Sequence, residues 1–282
     1  MHAALRLVRA GNLGVSFVGT IVGGLVARGW AQGLPFGFWA LVVLAAISTS
    51  LVTAGGNVLN DVLDLEGDRT NHPDRPLVTG EVSVATARGL TAALFIGGIL
   101  VALPVVLVEP QVGAILAVAV VALLGYEFLL KARGFVGNLV VGLLTGLVFL
   151  YGGAAAGNAL LLLPFAGMAI LATVSREVIK DMEDVAGDVG RTTLPKRYGL
   201  GFAGGVARGA VVAAVVLSVL PLFWFLRLAS LAGIMYVGLV GAADVMFGES
   251  VRRLPERLHY GQSMSKIAMT VALFAFLVVA FR

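Results

Sequence analysis

Cysteine is absent from all 282 residues, which rules out a disulfide framework and any thiolate metal site. Charge is nearly as scarce. Lys, Arg, Asp and Glu make up 13% of the chain against 59% hydrophobic residues, too polar-poor a balance for a soluble globular protein. Histidine is reduced to three. His2 and His259 fall in segments read as solvated and His72 in a loop, so nothing suggests a histidine metal triad. The opening MHAALRLVRAGNLG carries two arginines before an apolar run, but no small-residue cleavage site leading to a polar segment follows, so a cleavable signal peptide is not expected. The formal charge of +4 is accounted for by membrane topology rather than by a nucleic-acid partner.

What is there is a succession of apolar stretches near residues 11–27, 35–60, 87–108, 112–130, 136–153, 159–180, 203–226, 228–247 and 264–281. Each is long enough to cross a bilayer. The sequence therefore predicts an all-α, polytopic membrane protein: nine transmembrane helices in a bundle with a central cavity, forming one domain over residues 1–282. Pro104 and Pro221 fall inside spans and are expected to kink them. Small-residue patches such as Gly152, Gly153, Ala154 and Ala155 read as sites of close helix packing.

With a cytoplasmic N-terminus, the connections after spans two, four, six and eight share its side. All Lys and Arg except Arg28, Arg227 and Arg282 then lie on or near the cytoplasmic face of the cell membrane. All acids except Glu109 lie there too. Acids take little part in the orientation rule, so they need another explanation.

The stretch NVLNDVLDLEGDRTNHPDRP, residues 57–76, holds five acids and three asparagines behind an apolar run. On a helix, Asn57, Asn60, Asp61, Asp64 and Asp68 fall within an arc of about 100°. The pattern D-x-x-D-x-x-G-D at Asp61, Asp64, Gly67 and Asp68 returns at Asp181, Asp184, Gly187 and Asp188. There Glu177, Asp181, Asp184 and Asp188 span about 60° of a helix. One such cluster reads equally well as a solvated helix end; two matching clusters at the mouths of apolar segments favour a site. Carboxylates three and four residues apart repel one another unless a cation sits between them. Oxygen-only ligands point to Mg²⁺ rather than zinc. Spans two and six run in the same direction, so both acidic faces emerge at one membrane surface. The matched motifs, at 57–76 and 177–195, suggest a parallel internal repeat of about four helices.

Two facing carboxylate clusters ringed by basic residues suit a polyanion bound through bridging Mg²⁺, and diphosphate fits best. Candidate phosphate partners are Arg69, Arg75, Lys131, Arg133, Lys180 and Arg191, each of which also reads as a cytoplasmic anchor. Asn57 lies on the same acidic face and is placed with the substrate contacts. Tyr126 lies five residues before Lys131 near the end of span four and is placed there too.

The strings NDVLDLEGD with NHPDRPLVTGEVS, then YEFLLKARGFVGN, then DMEDVAGDVGRTTLP, resemble the signature segments of the UbiA-type intramembrane prenyltransferases, in order and spacing, over roughly residues 57–200. N-x-P-D-R-P looks most like the archaeal branch of the family that prenylates geranylgeranylglyceryl phosphate. Two departures stand out: Glu127 where a serine is usual after the tyrosine, and Leu77-Val78-Thr79 in place of Ile-Pro-Ser. The resemblance implies that Asn60, Asp64 and Asp68 hold one Mg²⁺, and Asp181 with Asp184 or Asp188 a second. The two ions together would bridge an isoprenyl diphosphate. Asp64, Asp68, Asp181 and Lys131 would be the catalytic set, promoting ionisation to an allylic cation that an acceptor attacks at C1. The partners implied are an isoprenyl diphosphate, a lipid or aromatic acceptor and the bilayer, with no obligate protein partner. Prenylation of 4-hydroxybenzoate or another aromatic acceptor is the alternative on the same fold. A transporter would place its acids at mid-bilayer rather than at one face.

Overall fold

The structure, a computed structural model, describes residues 3–131, 133–185 and 192–282. Among these residues nine helices are long and apolar enough to span a bilayer: α1 (Ala10–Arg28), α2 (Phe36–Leu63), α3 (Val84–Val108), α4 (Pro110–Leu130), α5 (Phe135–Ala155), α6 (Leu160–Glu183), α7 (Leu194–Trp224), α8 (Leu231–Arg252) and α9 (Leu258–Val279). Helices are what such a sequence must form, because hydrocarbon offers no partner for an open backbone N–H or C=O.

Neighbours in sequence pack together, most extensively α2 on α3, α5 on α6, α6 on α7 and α8 on α9. The ring is closed by α9 against α1 and α6, and tightened by α1 against α5. Small residues permit that last contact. A Cβ at Gly152 would lie 2.0 Å from the carbonyl oxygen of Thr20, and one at Gly23 2.4 Å from that of Phe149, so the two backbones touch directly. Beside this crossing Phe149, Phe165 and Phe276 meet edge to face at 5.5 and 5.0 Å, joining α5, α6 and α9. The outward faces of α3 and α4, including Leu107 and Val121, stay apolar and exposed, as lipid contact requires.

Several boundaries differ from the hydropathy reading. A helical turn opened by Pro195 precedes the seventh span, and the chain kinks at Gly199, φ 84° and ψ 162°, before the helix that crosses the bilayer. It breaks at Ser218 and Val219, so Pro221 opens the short helix Leu220–Trp224 instead of kinking a long one. Pro104 is carried inside α3. Asp244, counted with the cytoplasmic acids, lies inside α8 and accepts from Ser218 Oγ at 2.8 Å, because α8 continues to Arg252.

At the motif end, two short helices flank the bundle, Ala3–Leu7 ahead of α1 and Leu65–Asn71 after α2. Leu7 is fully buried with Val58, Leu77 and Ala87. This apolar contact fixes the N-terminal turn against the end of α2 and the chain beyond it.

Candidate active site

Helix α2 stops at Leu63, and Asp64 caps it with φ −89° and ψ 3°. The first motif faces two ways, Asn60 and Asp64 toward α4, and Asp61 and Asp68 toward the N-terminal turn and Arg75. Toward α4, Lys131 Nζ donates to Asp64 Oδ2 at 2.5 Å and to Glu127 Oε2 at 3.2 Å. The Asn60 amide donates to both Glu127 oxygens, at 3.0 and 3.1 Å. Toward the N-terminus, Arg75 bridges Asp61, at 3.1 Å, and Asp68. Arg9 Nη2 donates to Asp61 Oδ1 at 2.6 Å and Asn60 Oδ1 at 3.1 Å. The counter-ions that the carboxylate spacing demands are thus supplied by the chain itself.

The helical arc put Asp61 among the metal ligands. The structure buries it, 3% exposed, beneath two arginines. Asn57, expected to line the substrate site, donates to the Val8 carbonyl at 2.9 Å and so ties the N-terminal turn to α2. Arg9 is the non-glycine residue of the described chain with positive φ, at 56°, a left-handed turn that costs about 1–2 kcal/mol. Its two bonds to the first motif compensate for that strain.

The last turn of α4, Tyr126–Leu130, is a π-helix, in which the Lys131 N–H reaches the Tyr126 carbonyl at 2.9 Å. Wide turns of this kind re-aim side chains. Here the turn presents Glu127 and Lys131 together to Asn60 and Asp64. The connection to α5 is pinned by Gly134, with φ 58°, whose Cβ would fall 2.1 Å from the Thr192 carbonyl oxygen; only glycine allows that approach. One turn on, buried Asn138 donates to Asp181 Oδ2 at 2.8 Å. The end of α4 and the start of α5 therefore reach both motifs: Lys131 engages the first carboxylate cluster and Asn138 the second.

Helix α6 ends as α2 does. Asp184 caps it with φ −86° and ψ 0°, its N–H on the Lys180 carbonyl at 2.9 Å. The matching bond at the first motif runs from Asp64 to Asn60, also at 2.9 Å. Asp188 and Arg191 lie outside the described residues. Of the other expected phosphate contacts, Arg69 is 62% exposed beside Glu66, and Arg133 and Lys180 are exposed at the rim. Glu177 pairs with its neighbour Arg176.

Among the described residues no three His, Cys, Asp or Glu side chains converge closely enough to hold an ion unaided. The donor chemistry nonetheless fits Mg²⁺. Carboxylates and an amide oxygen are hard ligands, and Mg²⁺ is commonly held by one or two carboxylates, with water and substrate phosphate completing the shell. Three contributors were not read as site residues from sequence: Arg9, Glu127 and Asn138. Glu127 carried a signal, since it lies four residues before Lys131 on a helix. Arg9 carried none, its partner Asp61 being far along the chain.

Nine membrane-length helices bring the two acidic helix ends, at Asp64 and Asp184, to the same end of the bundle. The sequence pattern of the UbiA prenyltransferase family matches residues 16–260, and the chain belongs to that family of membrane prenyltransferases. It is 40% identical over 252 residues to the digeranylgeranylglyceryl phosphate synthase of Methanoculleus marisnigri, covering 88% of this chain and 85% of that one. A solved structure described as concerning digeranylgeranylglyceryl phosphate synthase superposes with a TM-score of 0.79 at 31% identity, over 99% of this chain and 98% of the other. A UbiA homologue from Archaeoglobus fulgidus bound to GPP and Mg²⁺ shares the fold, with a TM-score of 0.65 at 17% identity over 98% and 99% of the two chains.

Proposed function

We propose that the protein transfers a geranylgeranyl group from its diphosphate to the free hydroxyl of geranylgeranylglyceryl phosphate, at the cytoplasmic face of the cell membrane, with two Mg²⁺ ions. The observation that carries this reading is that Lys131 bonds to Asp64 at the end of α2 while Asn138, seven residues on, bonds to Asp181 in the last turn of α6. The name borne by the Methanoculleus relative supports the acceptor, and the GPP and Mg²⁺ of the Archaeoglobus homologue support the donor class and the metal. The matching caps also support the two motifs as halves of an internal repeat.

In this reading Asn60, Asp64 and Asp68 hold one ion, and Asp181 with Asp184 or Asp188 the other. When bound, Mg²⁺ neutralises the charge that develops on the leaving diphosphate. Lys131, already on Asp64, keeps that carboxylate aimed and adds positive charge beside the leaving group. Asn138 orients Asp181 by donating its amide N–H to that carboxylate. The C1–O bond of the allylic diphosphate breaks, the electron pair leaving with diphosphate. The acceptor oxygen then bonds to C1, and its proton passes to a nearby carboxylate or to the departing diphosphate. The bundle excludes water, which would otherwise capture the cation.

Incubation of the purified protein with Mg²⁺, geranylgeranyl diphosphate and geranylgeranylglyceryl phosphate tests the reading, with products identified by mass spectrometry. One diether phosphate is expected per diphosphate released. Release of diphosphate with only the free prenyl alcohol formed would contradict transfer.

A further inference from the structure

A cavity of about 350 Å³ opens between the N-terminal turn and the chain after Leu65–Asn71, and the donor chemistry assigned above does not use it. Its walls carry Arg6, Arg9, Arg75 and His72 against the acids Asp61 and Asp74. We propose that this pocket binds the phosphate of the acceptor, a phosphomonoester headgroup seated among the three arginines, apart from the carboxylates that take the donor diphosphate. This rests on the acceptor assigned under Proposed function.

Three observations support a built anion site. The arginines are only partly committed: Arg9 engages the first motif through Nη2 alone and Arg75 through Nη1 alone. One buried carboxylate, Asp61, is thus shared by two guanidiniums whose other N–H groups can face the pocket. Arg6 spends its two Nη groups on the Asp74 carbonyl and on Glu81, and its buried Nε has no partner. Guanidinium forks of this kind match phosphate oxygens in pairs.

The second observation is position. Arg9 Nη2 contacts both Asn60, in the proposed metal set, and Asp61, in the pocket wall, so the two sites adjoin. In a glyceryl phosphate the free hydroxyl stands only a few bonds from phosphorus. A headgroup held here therefore keeps its nucleophile beside the reacting carbon. The third is preorganisation. Buried Leu7 and the Asn57 bond to Val8 hold Arg6 and Arg9 in place before any ligand arrives.

Arg6→Gln and Glu81→Gln break the same exposed ion pair from opposite sides, which separates binding from structure. Steady-state kinetics should show that Arg6→Gln raises KM for geranylgeranylglyceryl phosphate about tenfold or more, with KM for geranylgeranyl diphosphate unchanged. Glu81→Gln should leave the acceptor KM unchanged or lower it. With geranylgeranylglycerol, which lacks the phosphate, Arg6→Gln and wild type should turn over equally and poorly. Equal loss in both variants makes the pair structural and overturns the site. A rise in the donor KM with Arg6→Gln assigns the pocket to the diphosphate instead. A wild-type preference for the phosphorylated acceptor that survives Arg6→Gln overturns the site alone. No such preference in the wild type overturns the acceptor assignment and the site together.

Discussion

Asp64→Asn and Asp181→Asn are each expected to lower kcat by about 10²- to 10³-fold, the range seen when one preorganised electrostatic contact to a transition state is removed. The two carboxylates belong to separate helix ends, α2 and α6, yet serve one leaving group. The double variant should therefore lose far less than the product of the single losses. Both substitutions are near-isosteric and should leave the fold intact. Lys131 keeps Glu127 when Asp64 is neutralised, and the Asn138 amide can still donate to the side-chain carbonyl of an asparagine at 181. The stability loss at Asp64 should stay within about 1.5–3 kcal/mol, the range for a hydrogen bond to a charged group. Initial rates with saturating substrates, alongside thermal unfolding in detergent, measure both effects. Near-normal turnover in either single variant would show that its motif lies outside the reaction site. Strictly multiplicative losses would show that the motifs act separately.

Removal of divalent metal is expected to abolish turnover while leaving the protein folded, and the second half of that expectation comes from the structure. A cluster of carboxylates built solely for metal would repel itself apart when stripped. Here Arg75 spans Asp61 and Asp68, and Lys131 spans Asp64 and Glu127, so the first cluster carries its own counter-ions. Chelation should thus cut activity to the detection limit and shift Tm by no more than a few degrees. Mg²⁺ should restore activity, and a softer ion such as Zn²⁺ should not do so comparably, since no soft ligand is present among these residues. Retained turnover after exhaustive chelation would exclude the metal from the mechanism.

Hydropathy made the nine spans legible, since apolar runs of bilayer length leave the backbone no alternative to helix. The repeated D-x-x-D-x-x-G-D made the two acidic ends legible as well. The interior of the site was less so, for identifiable reasons. A helical projection gives the shared face but not the partners that divide it: Asp61 meets Arg9 and Asp64 meets Lys131. Arg9 reaches Asp61 through a left-handed turn at a non-glycine residue, a conformation that composition does not announce. Glu127, a departure from the family pattern four residues before Lys131, proves to be the shared partner of Asn60 and Lys131. Of the basic residues read as phosphate contacts, Arg69 and Arg133 are exposed while Lys131 lies on Asp64, and Arg6 and Arg9 passed for ordinary topology charges.

The central claim is that the acceptor is a phosphorylated glyceryl lipid, and direct competition tests it most simply. Geranylgeranylglyceryl phosphate and 4-hydroxybenzoate are supplied together at equal concentration, with Mg²⁺ and geranylgeranyl diphosphate as donor, and both prenylated products are quantified. The diether phosphate is expected to dominate, because the pocket lined by Arg6, Arg9, Arg75 and Asp61 suits a phosphate lying a few bonds from the attacking oxygen. Higher kcat/KM for the aromatic acid would contradict it and assign the protein to the aromatic-acceptor branch of the family.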